Sequence, residues 1–187
     1  PAILAAARSG RLGALNVLPQ AIMVLSTNAW VCYGLSKQDP YIVLSNLPGA
    51  FGAVGYMVVT LPLIPPEDAN VRLQVQVVLV VGTALMYCLW CGMIFGGVPH
   101  ETGNDRQSFL IGAYASAICV VLFASPLSTM GEVIATRNSA SIYAPLTATQ
   151  VSNCFMWTAY GVAKDDVWVY GPNGTGLLLG LVQLALK

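Results

Sequence analysis

The sequence that decides the fold reads N-A-W-V-C-Y-G-L-S-K-Q-D-P-Y-I-V-L-S-N-L-P-G from Asn28 to Gly49, and it returns as F-M-W-T-A-Y-G-V-A-K-D-D-V-W-V-Y-G-P-N-G-T-G from Phe155 to Gly176. At an offset of 127 residues (155 − 28), seven of the 22 positions are identical without a gap. The identical pairs are Trp30/Trp157, Tyr33/Tyr160, Gly34/Gly161, Lys37/Lys164, Asp39/Asp166, Asn46/Asn173 and Gly49/Gly176. An ordered match of this kind indicates an internal duplication.

Each copy follows the same plan. A predicted helix begins near a proline, ends at W-x-x-Y-G, turns through K-x-D and returns through a helix that contains an asparagine. A further helix at 107–135 precedes the second copy. The stub 1–7 stands in the same place before the first copy, and we expect it to be the end of a helix whose beginning is missing. The unit therefore has three helices, and a helix at 73–97 belongs to neither unit.

The extra helix predicts how the two units are oriented. Two three-span units joined directly would be inverted, whereas one intervening span makes them parallel. We therefore predict an all-α membrane protein with two parallel three-helix bundles joined by a single linker helix, a 3+1+3 arrangement with its first helix truncated. The predicted bundles cover residues 1–63 and 107–187, and the linker helix covers 72–98.

Composition supports membrane spans. Of the 187 residues, 56% are hydrophobic and 9% are charged, whereas a soluble domain has about a quarter of its residues charged. The charges cluster and leave six uncharged stretches of 20 to 27 residues, against the roughly 20 that a helix needs to cross a bilayer. The stretches are 12–36, 40–66, 73–99, 107–131, 138–163 and 167–186. Six membrane-spanning helices are predicted.

The charges between the stretches predict the topology. If the loops alternate, five Lys and Arg residues fall on one side of the membrane and three on the other. The positive-inside tendency then places the loops at 8–11, 64–72 and 132–141 in the cytosol. Net charge is zero and no basic cluster is present, so we expect no nucleic-acid partner.

Two polar pairs inside the predicted spans are candidates for substrate binding. Asn46 follows Asp39 by seven residues and Trp30 precedes Lys37 by seven, so both lie about 10 Å below the same surface. Asn173 and Trp157 take the same places in the second copy. A carboxamide donates to and accepts from hydroxyls, and an indole face covers the apolar face of a sugar ring. These neutral groups favour a neutral polyol as the substrate.

A structural alternative exists for each residue type. Intramembrane asparagine often bonds a neighbouring helix, and tryptophan is common at membrane interfaces. The K-x-D charges are expected to be solvated loop residues, with a gating role as the alternative. Prolines in or beside the spans suggest kinks that act as hinges or that serve packing alone.

Catalytic chemistry finds no support in the sequence. No nucleophile–base pair or metal cluster emerges, and every Asp, Glu, Lys and Arg maps to a loop or a helix end. We therefore expect no enzyme, no metal and no cofactor. Without an intramembrane acid, passive transport is favoured over proton-driven transport.

Several motifs, taken in order, resemble the SWEET sugar transporter family of the PQ-loop (MtN3-like) superfamily. The resemblance covers the chain except its central helix. The motifs are S-P-L-S-T-M-G-E-V-I-A-T-R-N-S (Ser125–Ser139), W-T-A-Y-G (Trp157–Gly161), P-N-G-T-G (Pro172–Gly176), W-V-C-Y-G (Trp30–Gly34), Pro19 and Asn46. The resemblance implies the 3+1+3 fold and bidirectional, ion-independent flux of mono- or disaccharides by alternating access.

Roles for particular residues follow from the resemblance. It implies substrate-binding residues at Asn46, Asn173, Trp30 and Trp157. It implies hinges at Pro19, Pro126 and Pro145, the last after a one-residue shift. It also implies a multi-pass protein in contact with the lipid bilayer. We expect the plasma membrane, with an endomembrane as the alternative, and a homo-oligomer.

Other functions stay open at this level. Pro19-Gln20 also fits the wider PQ-loop group, so a carrier of amino acids or another small solute is one alternative. Such a carrier would commonly be proton-coupled and need an intramembrane acid. A sorting receptor with the same bundle fold is another, and it would need a charged luminal pocket.

Overall fold

A computed structural model describes residues 2–13, 15–95 and 105–187. The described residues form α-helices, with two short 3₁₀ turns and no strand. The helices are α1 (Ala2–Ser9), α2 (Leu18–Lys37), α3 (Pro40–Thr60), α4 (Ala69–Phe95), α5 (Asp105–Leu122), α6 (Ala124–Thr136), α7 (Ala144–Ala163) and α8 (Val167–Leu186). The prediction of an all-α protein is confirmed.

The chain divides into two compact units, Pro1–Ala115 and Ser116–Lys187. In the first unit, α2 packs along α3, and α4 packs against α2. Its core lies where the loop before α2 meets the ends of α3 and α4. The core residues are Val17, Ala21, Met57, Ile64 and Val75. In the second unit, α7 packs along α8, and α6 also contacts α8.

The helix predicted to belong to neither bundle lies against the first one. A Cβ added to Gly82 of α4 would meet the end of the Leu25 side chain of α2. The Tyr114 hydroxyl donates to the carbonyl of the same glycine at 2.7 Å. Gly82 therefore lets α4 approach α2 closely, as small residues do between membrane helices.

Three of the six predicted spans are confirmed as both long and apolar enough to cross a membrane. Within the described ranges these are Pro40–Leu63, Pro66–Gly92 and Ser108–Thr136. Helices α2, α7 and α8 have 20 residues each, which at about 1.5 Å per residue matches the bilayer core. Their mean hydropathy is lower than that of the three spans, because serine, threonine, asparagine, glutamine and glycine interrupt their apolar residues. Most of the candidate site residues lie on these more polar helices.

Two helices begin later than the uncharged stretches predicted. The stretch at 12–36 becomes a helix at Leu18, and the stretch at 138–163 becomes one at Ala144. Each helix begins with a proline in its first turn, Pro19 or Pro145. Backbone N–H groups of the first turn have no acceptor within the helix, so a proline, which has no N–H, is well tolerated there. Hydropathy alone does not detect this boundary, because the preceding loops are uncharged.

Candidate functional site

The K-x-D segment forms a tight helix–turn–helix, which explains why the sequence repeats it. After α2, Gln38 adopts a left-handed conformation (φ 53°), and the Asp39 N–H donates to the Gly34 carbonyl at 2.8 Å. The Asp39 carboxylate then accepts from the N–H groups of Tyr41 (3.0 Å) and Ile42 (3.3 Å). Asp39 is therefore the N-cap of α3.

The second copy repeats this turn. The Asp166 N–H donates to the Gly161 carbonyl at 2.8 Å. Its carboxylate accepts from Trp168 N–H (3.1 Å) and Val169 N–H (3.3 Å) at the start of α8. The sequence suggested solvated charges here, and the structure adds a structural role for the aspartate of each pair. The lysines, Lys37 and Lys164, are exposed.

We expect Asp166→Ala to lower stability and Asp166→Asn to retain most of it. Loss of an N-cap costs about 1 kcal/mol, whereas asparagine caps as well as aspartate does. For a chain of this size that corresponds to a melting temperature about 2–4 °C lower. Thermal unfolding of the purified variants checks this. If Asp166→Asn melts as low as Asp166→Ala, the charge rather than the cap stabilises the turn.

The register of the first hairpin brings Trp30 and Asn46 to one level. The two helices run antiparallel from the turn, so residues equally distant from it lie opposite each other. Two close approaches define the register on either side of this level. They are Gly34 with Val43 and Thr27 with Gly49. Trp30 lies between Thr27 and Gly34 along α2, and Asn46 lies between Val43 and Gly49 along α3. The depth predicted from the sequence therefore agrees with the packing.

The second hairpin has the same register. Its close approaches are Gly161 with Tyr170 and Cys154 with Gly176. Trp157 lies between Cys154 and Gly161 along α7, and Asn173 lies between Tyr170 and Gly176 along α8. Each unit by itself thus presents one indole and one carboxamide at one level.

Both asparagines lie on the inward face of their helices. Positions three or four apart share one face of a helix. In α8, Asn173 continues a face whose other members are buried. These are Val169, Gly176, Gly180 and Gln183. In α3, Asn46 stands four residues from buried Ile42 and four from buried Ala50. Asn46 and Asn173 are themselves half-buried, so each lies at the margin of its packed face and stays accessible.

The carboxamides bond their own helices. Asn46 Nδ2 donates to the Ile42 carbonyl at 2.9 Å and lies 3.5 Å from the Ser45 hydroxyl. Asn173 Nδ2 donates to the Val169 carbonyl at 2.8 Å. Within the part of the chain that the structure describes, neither carboxamide bonds a neighbouring helix. Each is held in a fixed orientation, with an N–H and the Oδ1 acceptor of Asn173 and the Oδ1 acceptor of Asn46 left for another partner.

The two tryptophans also have matching surroundings. Trp30 packs edge-on against Tyr33, with ring centroids 5.6 Å apart and an interplanar angle of 87°. Trp157 packs against Tyr160 at 5.5 Å and 82°. Edge-to-face packing fixes a ring's orientation. Trp30 is 8% exposed and Trp157 is half-buried, so neither is simply an interfacial tryptophan facing lipid.

The three candidate hinge prolines lie in two different settings. Pro19 and Pro145 lie in the first turns of α2 and α7, so the kinks expected from them do not form. Pro126 lies in the first turn of α6, three residues after Phe123, where the segment breaks into α5 and α6. A proline ring clashes with the carbonyl four residues before it, here that of Leu122 at the end of α5. The break therefore has a local cause.

Two further prolines, which were not among the predicted hinges, lie inside helices. Pro48 is in α3 and Pro172 is in α8. They stand within two residues of Asn46 and Asn173, respectively. The signal that could have found them is that each lies close to the repeated asparagine. Pro48 follows Asn46, whereas Pro172 precedes Asn173, so the two prolines do not align at the 127-residue offset.

Comparison with known proteins identifies the family to which the sequence is similar. It matches the sequence model of the family described as "Sugar efflux transporter for intercellular exchange" over residues 6–66 and 109–186. It is 28% identical over 170 residues to the bidirectional sugar transporter SWEET7b of Oryza sativa subsp. indica, covering 90% of this chain and 62% of the relative. It is 30% identical over 181 residues to the bidirectional sugar transporter SWEET2a of Sorghum bicolor, covering 96% and 72%.

An animal relative and a solved structure agree with these matches. The sugar transporter SWEET1 of Caenorhabditis elegans is 26% identical over 183 residues, which are 96% of this chain and 55% of the relative. This chain therefore spans between about half and two thirds of several curated relatives. The structure of a eukaryotic SWEET transporter superposes with a TM-score of 0.82 at 23% identity, covering 98% of this chain and 83% of that one. This match shows a shared fold.

Proposed function

This chain belongs to the family of sugar efflux transporters for intercellular exchange, and on that premise we propose that it carries mono- or disaccharides across a membrane in both directions. It is an integral membrane protein with several spans. The transport is facilitative and proceeds by alternating access. The observation that carries the proposal is the repeated pair of one indole and one carboxamide at one level in each unit.

The chemistry of these pairs suits a sugar. Asn173 offers a hydrogen-bond donor and an acceptor to hydroxyl groups, and Asn46 offers an acceptor. Trp157 offers an apolar ring face to the C–H face of a sugar ring, and Trp30, which is 8% exposed in this structure, is proposed to do so in another state of the transport cycle. All four groups are neutral, and none could compensate the cost of removing a charged substrate from water. A neutral substrate avoids that cost. We therefore assign substrate binding to these four residues.

Alternating access needs segments that change shape. We propose Pro126 as one hinge, because it has no N–H to donate to the Leu122 carbonyl, which weakens the α5–α6 segment beside Phe123. Pro19 and Pro145 are proposed as hinges of another kind, at the loop-to-helix junctions where α2 and α7 begin. A junction pivots without breaking the hydrogen bonds of a helix.

Transport is proposed to be uncoupled from protons, and it should follow the sugar gradient in either direction. The acidic residues of the described helices lie near helix ends, among them Asp105 and Glu132. In cells without sugar uptake of their own that express the full-length chain, a protonophore should leave initial rates almost unchanged. A proton-coupled sugar symporter in the same cells is the control, and it should lose its uptake. Loss of most uptake by this protein would contradict uniport.

Location and assembly belong to the same proposal. We propose that the protein works in the plasma membrane and assembles as a homo-oligomer. Surface biotinylation of the full-length chain tests the first statement, and a purely intracellular signal would contradict it. The mass of the detergent-solubilised protein tests the second, and a monomer would contradict it.

A further inference from the structure

Helix α8, which carries Asn173, has two polar ties to the segment that precedes α7. The Ser116 hydroxyl of α5 donates to the Trp168 carbonyl at 3.4 Å. The Gln183 side-chain amide donates to the Pro126 carbonyl of α6 at 3.3 Å. Both distances are at the long end of hydrogen bonding. Both ties join a side chain to a backbone oxygen, and all four residues belong to the second unit.

The first tie compensates for a proline. Pro172 has no N–H and therefore cannot donate to the Trp168 carbonyl four residues before it. In membrane helices, serine side chains of neighbouring helices commonly bond a carbonyl that a proline releases. Ser116 is placed to do so. The bond therefore attaches α5 to α8 at Trp168, five residues before Asn173.

The second tie involves a buried carboxamide. Gln183 is 6% exposed and continues the inward face of α8 that includes Gly176 and Gly180. A buried amide is unfavourable unless it is hydrogen-bonded, so the bond to Pro126 is part of the packing. That carbonyl lies just after the break at Phe123. Gln183 therefore connects α8 to the proposed hinge.

The geometry points to Ser116 and Gln183 as positioning residues, which hold α8 on either side of Asn173. At about 1.5 Å per residue, Trp168 lies some 7 Å before Asn173 along the helix and Gln183 some 15 Å after it. The two ties leave the substrate-facing carboxamide untouched and fix the helix that presents it. This inference rests on the proposed function, in which Asn173 binds the sugar.

We expect Ser116→Ala and Gln183→Leu each to weaken sugar binding by the full-length protein about two- to tenfold, the range for one hydrogen bond. Ser116→Thr keeps the hydroxyl and should restore affinity. Ser152→Ala is the matched control, because that exposed hydroxyl bonds the Ala148 carbonyl of its own helix at 3.0 Å. It should leave affinity unchanged.

A double-mutant cycle separates positioning from general stability. In the Asn173→Ala background, Ser116→Ala and Gln183→Leu should reduce affinity no further, because the residue they position is gone. A merely structural role would lower the melting temperature and leave the affinity of the single variants unchanged. That result would overturn the inference.

The same measurements keep two failures apart. If the wild-type protein binds glucose and sucrose and Asn173→Ala weakens binding, but both tie variants bind normally, the positioning role alone fails. If the wild-type protein binds neither sugar, the proposed function fails, and the positioning role fails with it.

Discussion

Replacing Asn46 or Asn173 with alanine is expected to weaken sugar binding about five- to hundredfold. On the proposed assignment, each substitution removes a carboxamide that bonds sugar hydroxyls and leaves those hydroxyls unsatisfied, at a cost of about 1–3 kcal/mol. About 1.4 kcal/mol corresponds to a tenfold change in affinity. Binding of glucose and sucrose to the purified full-length variants measures the effect. Unchanged affinity in both variants would end the assignment of these residues to the site.

The same variants should fold normally. The hydrogen bonds described for both carboxamides stay within their own helices, so alanine removes no bond to a neighbouring helix. Alanine is also the best helix former. Thr175→Ala on α8 is the matched control, because that exposed hydroxyl bonds the Gly171 carbonyl of its own helix. A lower melting temperature with unchanged affinity would give the asparagines a structural role instead.

Replacing Gly161 with alanine is expected to destabilise the second hairpin severely. The added Cβ would lie 2.6 Å from the Tyr170 backbone nitrogen, and a backbone atom cannot move without separating α7 from α8. Overpacking typically costs about 1–3 kcal/mol, and a backbone contact should reach the upper end. Gly82→Ala meets a closer atom, but it is the flexible end of Leu25, so the cost is smaller. Melting temperature and membrane yield measure both.

Two other glycines serve as comparisons for this prediction. Gly34 is the counterpart of Gly161, but its nearest atom is the Val43 side chain at 2.8 Å, with the backbone nitrogen at 3.0 Å. Gly34→Ala should therefore cost less than Gly161→Ala. Gly131 of α6 has nothing within 4 Å, and alanine there should be neutral or mildly stabilising, since helical alanine is favoured over glycine. Equal melting of the Gly161 and Gly131 variants would contradict the packing argument.

The duplicated stretch predicted the hairpins and the level of their polar pairs. Counting residues from the K-x-D turn put Trp30 beside Asn46 because the two helices start from one fixed turn and rise equally per residue. Only the position of the turn and the rise per residue are needed for this prediction. The caps at Asp39 and Asp166 also have a signal in the sequence, since aspartate before a helix is a common N-cap. Interpreting K-x-D as solvated charge overlooked it.

Other features depend on contacts that a sequence does not display. The ties from Ser116 and Gln183 join residues 52 and 57 positions apart along the chain. The different settings of Pro19 and Pro126 depend on where each helix begins, which is set by the packing of uncharged loops. The absence of charges also did not distinguish the six stretches, although α2, α7 and α8 have a lower mean hydropathy than the spans on α3, α4 and α5–α6. Each of these three helices carries a candidate site residue, namely Trp30, Trp157 and Asn173.

Counterflow tests the central claim most directly. Proteoliposomes containing the purified full-length protein are preloaded with unlabelled glucose or sucrose and diluted into a trace of the labelled sugar. A facilitative sugar carrier predicts transient accumulation of label inside the vesicles, without a pH gradient, and none in vesicles preloaded with neutral amino acids. Label that enters no faster than into protein-free liposomes, or exchange that only amino acids support, would contradict the account.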